Sequence, residues 1–213
     1  MEGAVQVKRG RGGRPAAGQG DVETRLLAAA TRLFLERGYD GTSCDQVALD
    51  AGAGKASIYA RYANKAALFA AVIDRMLARS FAQDKVAAET PLDERLAAVG
   101  MRVLADALYP DALALLRLLV AELPRLADAT VRADQLFWQT GVRRVAHAIA
   151  LRDPEAAARA VGPAEQFIDL VLSPALMRAL LGEPTAPLMT AARPRIDAAI
   201  ATLRANGALA GWS

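Results

Sequence analysis

Apolar residues recur at steps of three and four along most of the chain, which is the spacing that places them on one face of an α-helix. No stretch alternates strictly between apolar and polar residues, so the sequence predicts no β-strand. The first helix is expected to begin with Asp21 as its N-cap and to end at Gly38 as a left-handed residue. Two short helices follow at about 43–51 and 55–61, and a fourth runs from 65 to about 81.

Capping residues and helix breakers predict the remaining boundaries. Thr42 is expected to cap the second helix, with Asp45 completing a capping box, and Asn64 is expected to cap the fourth. Pro174 and Pro194 lie inside helical patterns, so kinks or other boundaries are expected there. Proline and glycine separate the later helices, which are predicted at about 92–108, 111–122, 125–151, 155–161, 164–181 and 188–206. The prediction is an all-α protein.

Composition narrows the class of protein. The 213 residues are 54% hydrophobic and 23% charged, which excludes a chain that is disordered throughout. A single cysteine, Cys44, excludes a disulfide scaffold and suits a reducing compartment such as the cytoplasm. No run of about 18 apolar residues is present, and the N-terminus lacks the apolar core of a signal peptide, so we expect no membrane association.

The positive charge of the chain is concentrated at its start. The formal net charge is +3, and residues 1–20 alone carry this excess, through Lys8, Arg9, Arg11 and Arg14 against Glu2. This Gly- and Arg-rich segment lacks apolar periodicity, so we interpret it as a flexible basic tail. A tail of this kind can follow a polyanion, and it can equally serve only to keep the chain soluble.

The two short helices have the size of a helix-turn-helix, in which the second helix enters the major groove of DNA. On this pattern alone an ordinary helical hairpin stays equally open. The specific residues are more informative, and they read Gly38-Tyr39-Asp40-Gly41-Thr42-Ser43, Val47-Ala48, Ala51-Gly52, Ser57-Ile58-Tyr59, Tyr62, Asn64-Lys65 and Leu68-Phe69. This run closely resembles the DNA-binding domain of the TetR/AcrR family of bacterial transcriptional regulators. The resemblance covers about residues 21–80.

The resemblance implies a set of DNA contacts. Ser43 matches a position that often contacts phosphate, Tyr59 matches a typical phosphate-binding tyrosine, and Lys65 matches a lysine at the start of the fourth helix. Arg61 is expected either to read a guanine edge or to contact phosphate. Gly54 stands where the family usually has a polar capping residue, so a weaker cap is expected for the third helix. Ala56 and Ala60 are smaller or less usual than the family residues, which lowers the expected number of base-specific hydrogen bonds. The full predicted set is Arg9, Arg11, Arg14, Thr42, Ser43, Lys55, Ala56, Ser57, Tyr59, Ala60, Arg61 and Lys65.

Residues 81–213 are expected to form a ligand-binding and dimerisation domain, as the resemblance implies. A pocket is predicted at Met101, Leu104, Tyr109, Arg117, Phe137, Trp138 and Val142, although core packing explains the apolar members equally well. The dimer interface is predicted at Phe167, Leu170, Val171, Arg178, Ile196, Ile200 and Leu203, which follow helical spacing on the last two helices. Residues 167–174 are also weakly similar to an AefR-like group of C-terminal domains.

Catalytic chemistry has no support in the sequence. Cys44 is expected to be a buried structural thiol, His147 is expected on a solvated face, and no metal-ligand or phosphate-loop spacing is present. We therefore expect no cofactor, no metal and no enzymatic activity. The expected function is a dimeric, ligand-responsive regulator, most simply a repressor, that binds a pseudo-palindromic DNA operator and responds to a small lipophilic effector. The alternatives are a sequence-nonspecific architectural DNA-binding protein and an all-α enzyme or sequestering protein.

Overall fold

The computed structural model describes residues 19–81, 89–122, 138–151 and 153–212, and every regular element within these ranges is helical. Residues 1–18 of the basic tail and residues 125–137 of the helix predicted at 125–151, which include Phe137, lie outside the described residues. The helices are α1 (Gln19–Arg37), α2 (Cys44–Asp50), α3 (Lys55–Tyr59), α4 (Lys65–Phe81), α5 (Leu92–Ala107), α6 (Pro110–Glu122), α7 (Gln139–Ile149), α8 (Pro154–Arg159), α9 (Val161–Leu180), α10 (Thr185–Thr190) and α11 (Ala192–Ala205).

Helices α1 to α4 close around one apolar core. Leu26 and Phe34 of α1, Val47 of α2, Ile58 of α3 and Phe69 of α4 are all essentially inaccessible to solvent. Because α3 is only five residues long, its position depends on the burial of Ile58 rather than on its own helical stability. The core therefore holds α3 against α2, and the other side chains of α3 face away from the core.

A second core lies among α5, α7, α9 and α11. Glycine at position 100 allows α5 to approach its neighbours closely, because a Cβ there would lie 3.0 Å from Phe167 and 3.1 Å from Ile196. Glycine at position 141 does the same for α7, where a Cβ would meet Ile168 at 2.9 Å. These two close approaches make the bundle tightly packed where its four long helices meet.

Helix α6 contributes to both cores. Leu115 and Leu119 are buried with the residues of α1 to α4, whereas Leu113 is buried with the residues of the larger bundle. In addition, the Arg117 guanidinium donates a 2.6 Å hydrogen bond to the Ala179 carbonyl oxygen near the end of α9. A shift of α6 would therefore disturb the packing of both parts of the molecule.

Several predicted boundaries are confirmed. Gly38 adopts the left-handed conformation, with φ at +73°, and its N–H donates to the Phe34 carbonyl oxygen at 3.0 Å. Asn64 caps α4 by accepting a 2.9 Å hydrogen bond from the Ala67 N–H. Cys44 is a buried free thiol, and His147 is exposed to solvent.

Other boundaries need correction. Helix α1 begins at Gln19, so Asp21 lies in its first turn rather than at its N-cap. The N-cap of α2 is Ser43, whose hydroxyl oxygen accepts from the Gln46 N–H at 3.2 Å, and the predicted capping box between Thr42 and Asp45 does not form. Thr42 instead points inward, and its hydroxyl donates to carbonyl oxygens of the preceding helix and turn.

The prolines explain the differences near the C-terminus. Helix α9 begins at Val161 rather than at 164, with Pro163 in its first turn, where a missing N–H breaks no helical hydrogen bond. The helix continues through Pro174, whose side chain is exposed. The burial of Val171 and Ala175 in the bundle holds the helix together on either side of this proline. The helix expected at 188–206 is divided into α10 and α11, which places Pro194 in the first turn of α11.

Candidate nucleic-acid interface

The turn between α2 and α3 gives the two helices their crossing. Gly52 has φ at +60°, a left-handed conformation that a side chain disfavours, and the Ala53 N–H donates to the Ala48 carbonyl oxygen at 2.8 Å. Gly54 is the N-cap of α3 and provides no side-chain cap, as its departure from the family pattern predicted. The result is a compact helix-turn-helix with an uncapped second helix.

Helix α3 presents nearly its whole surface outward. Lys55, Ala56, Tyr59 and Ala60 are exposed, and Ser57 is half-buried. Ser43 at the start of α2 is also exposed, and its hydroxyl retains a proton to donate because its oxygen is the acceptor for Gln46. The structure therefore brings hydroxyl, ammonium and phenol donors together on one side of the helix-turn-helix, as contacts to a phosphate backbone require.

Arg61 follows α3, and its guanidinium donates a 2.9 Å hydrogen bond to the Ser57 carbonyl oxygen. This bond uses one of the five guanidinium donors and turns the side chain along α3. A guanidinium held in this way retains donors for a phosphate or a base edge, so both predicted roles stay open.

Lys65 lies at the start of α4 and is half-buried. Its ammonium donates a 2.9 Å hydrogen bond to the Tyr39 carbonyl oxygen and lies 4.3 Å from the centroid of the Tyr39 ring. Tyr39 in turn packs against Phe34 and Phe69, with ring centroids 5.9 Å and 5.3 Å away. The predicted phosphate-binding lysine therefore also connects α4 to the turn between α1 and α2.

The prediction that Thr42 contacts DNA is wrong. Only 2% of Thr42 is exposed, and its hydroxyl donates to the carbonyl oxygens of Leu33, at 3.1 Å, and Gly38, at 2.9 Å. An inward hydroxyl engaged in this way cannot reach a phosphate. It stabilises the turn that carries the exposed Ser43.

Sequence reasoning missed Asp45 as a member of this surface. Its carboxylate accepts a 2.6 Å hydrogen bond from the Lys55 ammonium and lies 3.4 Å from the Tyr59 hydroxyl, which donates to it. The hydrogen bond to Asp45 raises the pKa of Lys55, and the negative charge of Asp45 raises the pKa of Tyr59. Both donors therefore stay protonated at neutral pH.

The segment that contains this surface is similar to known proteins. The model of the family described as bacterial regulatory proteins, TetR family, matches residues 26–72, which include α2, α3 and the start of α4. Residues 26–72 therefore form a DNA-binding domain of the TetR type. An uncharacterized HTH-type transcriptional regulator of Mycobacterium tuberculosis is 50% identical over 46 residues, which are 22% of this chain. That alignment spans only 23% of the length of the mycobacterial relative.

Solved structures extend the likeness to the whole fold. A TetR-family regulator from Mesorhizobium loti is 22% identical, with a TM-score of 0.63 over 86% of this chain and 97% of that chain. A TetR regulator from Haloarcula marismortui is also 22% identical, with a TM-score of 0.65 over 85% and 98%. The flavonoid-responsive regulator FrrA is 28% identical, with a TM-score of 0.63 over 87% and 97%.

The described members of the predicted pocket have different surroundings. Leu104 and Val142 are buried in the core of the bundle, and Met101 and Trp138 are half-buried against it. Tyr109 is exposed, and the exposed Arg117 is turned toward the Ala179 carbonyl oxygen. The prediction of Tyr109 and Arg117 as pocket residues therefore finds no support in their placement.

Most of the predicted dimer residues are instead core residues of the single chain, which corrects that prediction. Phe167, Val171, Ile196, Ile200 and Leu203 are buried within the bundle. Leu170 and Arg178 are exposed, and they share the outer side of α9 with further exposed residues. The α9 stripe, as we name it, consists of Leu170, Pro174, Met177 and Leu181.

The signal for the α9 stripe was present in the sequence. Its members follow steps of four, three and four, which is the helical spacing used to select the buried face of the same helix. A helix that is apolar on two faces buries one of them in its own core and leaves the other for a partner.

Two further observations limit the chemistry. Among the residues that the structure describes, no group of three or more His, Cys, Asp and Glu side chains could hold a metal ion. Within the same ranges, no helix is both long enough and apolar enough to cross a membrane.

Proposed function

We propose that this chain is a cytoplasmic, ligand-responsive transcriptional regulator that binds a pseudo-palindromic operator as a homodimer and represses transcription. The observation that carries the proposal is the exposed surface of α3, with Lys55 and Tyr59 at its two ends and Ser43 beside it. One buried residue, Ile58, fixes the helix, and the small side chains of Ala56 and Ala60 allow close approach to the groove. The match of residues 26–72 to the TetR family model supports this function.

The exposed face of α9 supports a twofold dimer. Met177 is 59% exposed and Leu181 is 82% exposed, so the α9 stripe presents apolar area that a partner can cover. The neighbouring helix α11 exposes only small residues on one side, at Pro194, Ala198, Ala201 and Ala205. A twofold axis through such faces would place two copies of α3 about 34–36 Å apart, or a multiple of that distance, on successive turns of DNA.

A change in the packing of α4 and α6 provides the proposed switch. Helix α4 begins at the DNA-facing Lys65, and α6 inserts Leu115 and Leu119 into the same core. An effector that binds the DNA-incompetent arrangement of these helices more tightly than the competent one would release the operator. The high share of apolar residues in the chain supports a small lipophilic effector.

The likeness to FrrA, which is described as flavonoid-responsive, makes flavonoids the first effectors to test. The test adds each flavonoid to the protein–operator complex and measures the dissociation constant. Release by at least one planar aromatic ligand would support the proposed switch. An operator affinity that no flavonoid or other lipophilic ligand changes would contradict ligand-responsive release.

Selection of bound sequences from a random DNA pool tests the DNA-binding function. At physiological salt, where sequence-independent phosphate binding is weak, we expect a pseudo-palindromic consensus. Absence of enrichment, together with retention of DNA at low salt, would instead favour an architectural DNA-binding protein. Absence of binding under both conditions would contradict a DNA-binding role.

A further inference from the structure

Asp45 connects the two helices of the helix-turn-helix through one carboxylate. One carboxylate oxygen is 2.6 Å from the ammonium of Lys55, the first residue of α3, and the other is 3.4 Å from the hydroxyl of Tyr59, the last residue. Lys55 and Tyr59 are four residues apart, so they lie on one side of α3. A single anion therefore engages both ends of the recognition helix.

This ion pair is open to solvent. The Lys55 side chain is 71% exposed and the Asp45 side chain is 45% exposed. Both line a cleft of about 350 Å³ between α2 and α3, to which Ser43 also contributes. A phosphate group that approaches this side of the helix-turn-helix could therefore reach the Lys55 ammonium and the Tyr59 hydroxyl without a rearrangement of the core.

Stability does not explain the contact. An exposed pair of this kind contributes little to folding, because water screens the attraction and two flexible side chains must be ordered. The N-terminus of α2 is already capped by Ser43, so Asp45 is not needed as a cap. Its negative charge lies on the surface where the proposed function requires attraction to polyanionic DNA, which makes it costly unless it serves another purpose.

We propose that Asp45 restrains DNA binding by occupying, in the free protein, the donors of Lys55 and Tyr59 that phosphates take in the complex. This inference rests on the proposed operator-binding function. The carboxylate and the phosphate are both anionic acceptors, so DNA must displace Asp45 and then tolerate its charge nearby. Neither cost depends on base sequence. The restraint therefore lowers affinity for all DNA and limits the fraction of protein held on the excess of non-operator sites.

The experiment compares wild-type protein with Asp45→Asn on two duplexes, the selected operator and a scrambled duplex of the same length and composition. We expect Asp45→Asn to bind both duplexes about three- to tenfold more tightly near 100 mM salt, by a similar factor for each. We also expect a steeper dependence of log K on log salt, by up to about 0.9 for each subunit, because Lys55 becomes free to neutralise a phosphate.

Asp50→Asn is the matched control. Asp50 lies on the same helix and pairs with Arg32 of α1 rather than with α3, so its substitution removes the same charge without releasing Lys55. A double-mutant cycle with Lys55→Ala separates the two possible effects of Asp45. In the Lys55→Ala background, we expect Asp45→Asn to lose most of its effect on DNA affinity. Thermal denaturation of each variant confirms that the fold is kept.

Four results would overturn the restraint. Weaker DNA binding by Asp45→Asn would mean that Asp45 orients the donors productively. An equal gain from Asp50→Asn, or a full effect in the Lys55→Ala background, would mean that Asp45 acts only as a distant negative charge. If wild-type protein selects no operator and binds neither duplex at low salt, the proposed function fails and the inference fails with it.

Discussion

The ammonium of Lys65 donates a 2.9 Å hydrogen bond to the carbonyl oxygen of Tyr39 and lies 4.3 Å from the centroid of the same residue's ring. The two residues are 26 positions apart, so this contact fixes the start of α4 against the turn that precedes α2. One lysine thus has two tasks, to hold the helix-turn-helix against α4 and to offer its remaining donors to DNA. The two tasks can be separated by experiment.

Lys65→Ala is expected to weaken DNA binding by a similar factor for every sequence and to reduce the salt slope by about 0.9 for each subunit. It is also expected to cost about 1 kcal/mol of unfolding free energy, because the Tyr39 carbonyl loses its donor. Binding isotherms at several salt concentrations and urea denaturation measure the two effects. Lys65→Arg keeps the positive charge and serves as the control. Unchanged affinity of Lys65→Ala across the salt series would refute the phosphate contact.

Tyr62→Phe is expected to raise the unfolding free energy by about 1 kcal/mol. Tyr62 is 7% exposed, and its buried hydroxyl has no hydrogen-bond partner among the described residues. A buried hydroxyl without a partner costs about 1–3 kcal/mol of desolvation, which phenylalanine avoids at nearly the same shape. Tyr109→Phe, at an exposed tyrosine, is the control and should change nothing. A clear loss of stability in Tyr62→Phe would show that the hydroxyl is satisfied in solution.

Stability is expected to fall as the solution becomes alkaline. Burial raises the pKa of Cys44, Tyr39 and Tyr62, because it disfavours their charged forms. The unfolded chain then loses these protons at a lower pH than the folded chain, so the stabilisation is complete below about pH 8.5 and declines above it. Urea denaturation between pH 7 and pH 11 measures the decline. A double variant, Cys44→Ala with Tyr62→Phe, should show a shallower decline, and an identical pH profile would contradict this assignment.

The helix-turn-helix could be predicted largely because its signals are local. Gly38 and Asn64 mark helix ends by backbone conformation and side-chain capping, and both predictions are confirmed. The boundary at Thr42 and Ser43 shows the limit of such signals. Both residues can cap a helix, and a shift by one position decides which hydroxyl is buried in the turn and which faces solvent.

Contacts between elements could not be predicted in the same way. The ion pair of Asp45 and Lys55 spans ten positions across a tight turn, and no periodicity indicates it. Most of the predicted interface residues proved to be core residues for a related reason, since helical spacing identifies an apolar face but does not say whether the chain's own core or a partner covers it. For Phe167 and Ile196 the chain's own core covers the face.

Met177→Lys tests the dimer at the centre of the α9 stripe. Met177 is exposed, so the substitution should leave the fold of the single chain intact while it places a charge against the same face of a twofold partner. We expect a shift from dimer to monomer by analytical ultracentrifugation and at least a tenfold loss of operator affinity, because the two half-sites are then bound separately. Unfolding by urea should give a similar slope for the monomer, as a folded chain requires.

Val161→Lys is the matched control for this substitution. Val161 is the first residue of the same helix and is 40% exposed, and nine residues separate it from Leu170, which places it on the opposite side of α9. The control should remain dimeric and bind the operator as wild type does. If Met177→Lys also remains dimeric, the partner contacts another face. If both variants become monomers, an added charge anywhere on α9 prevents dimerisation, and the result would contradict a specific contact between the α9 stripe and the partner.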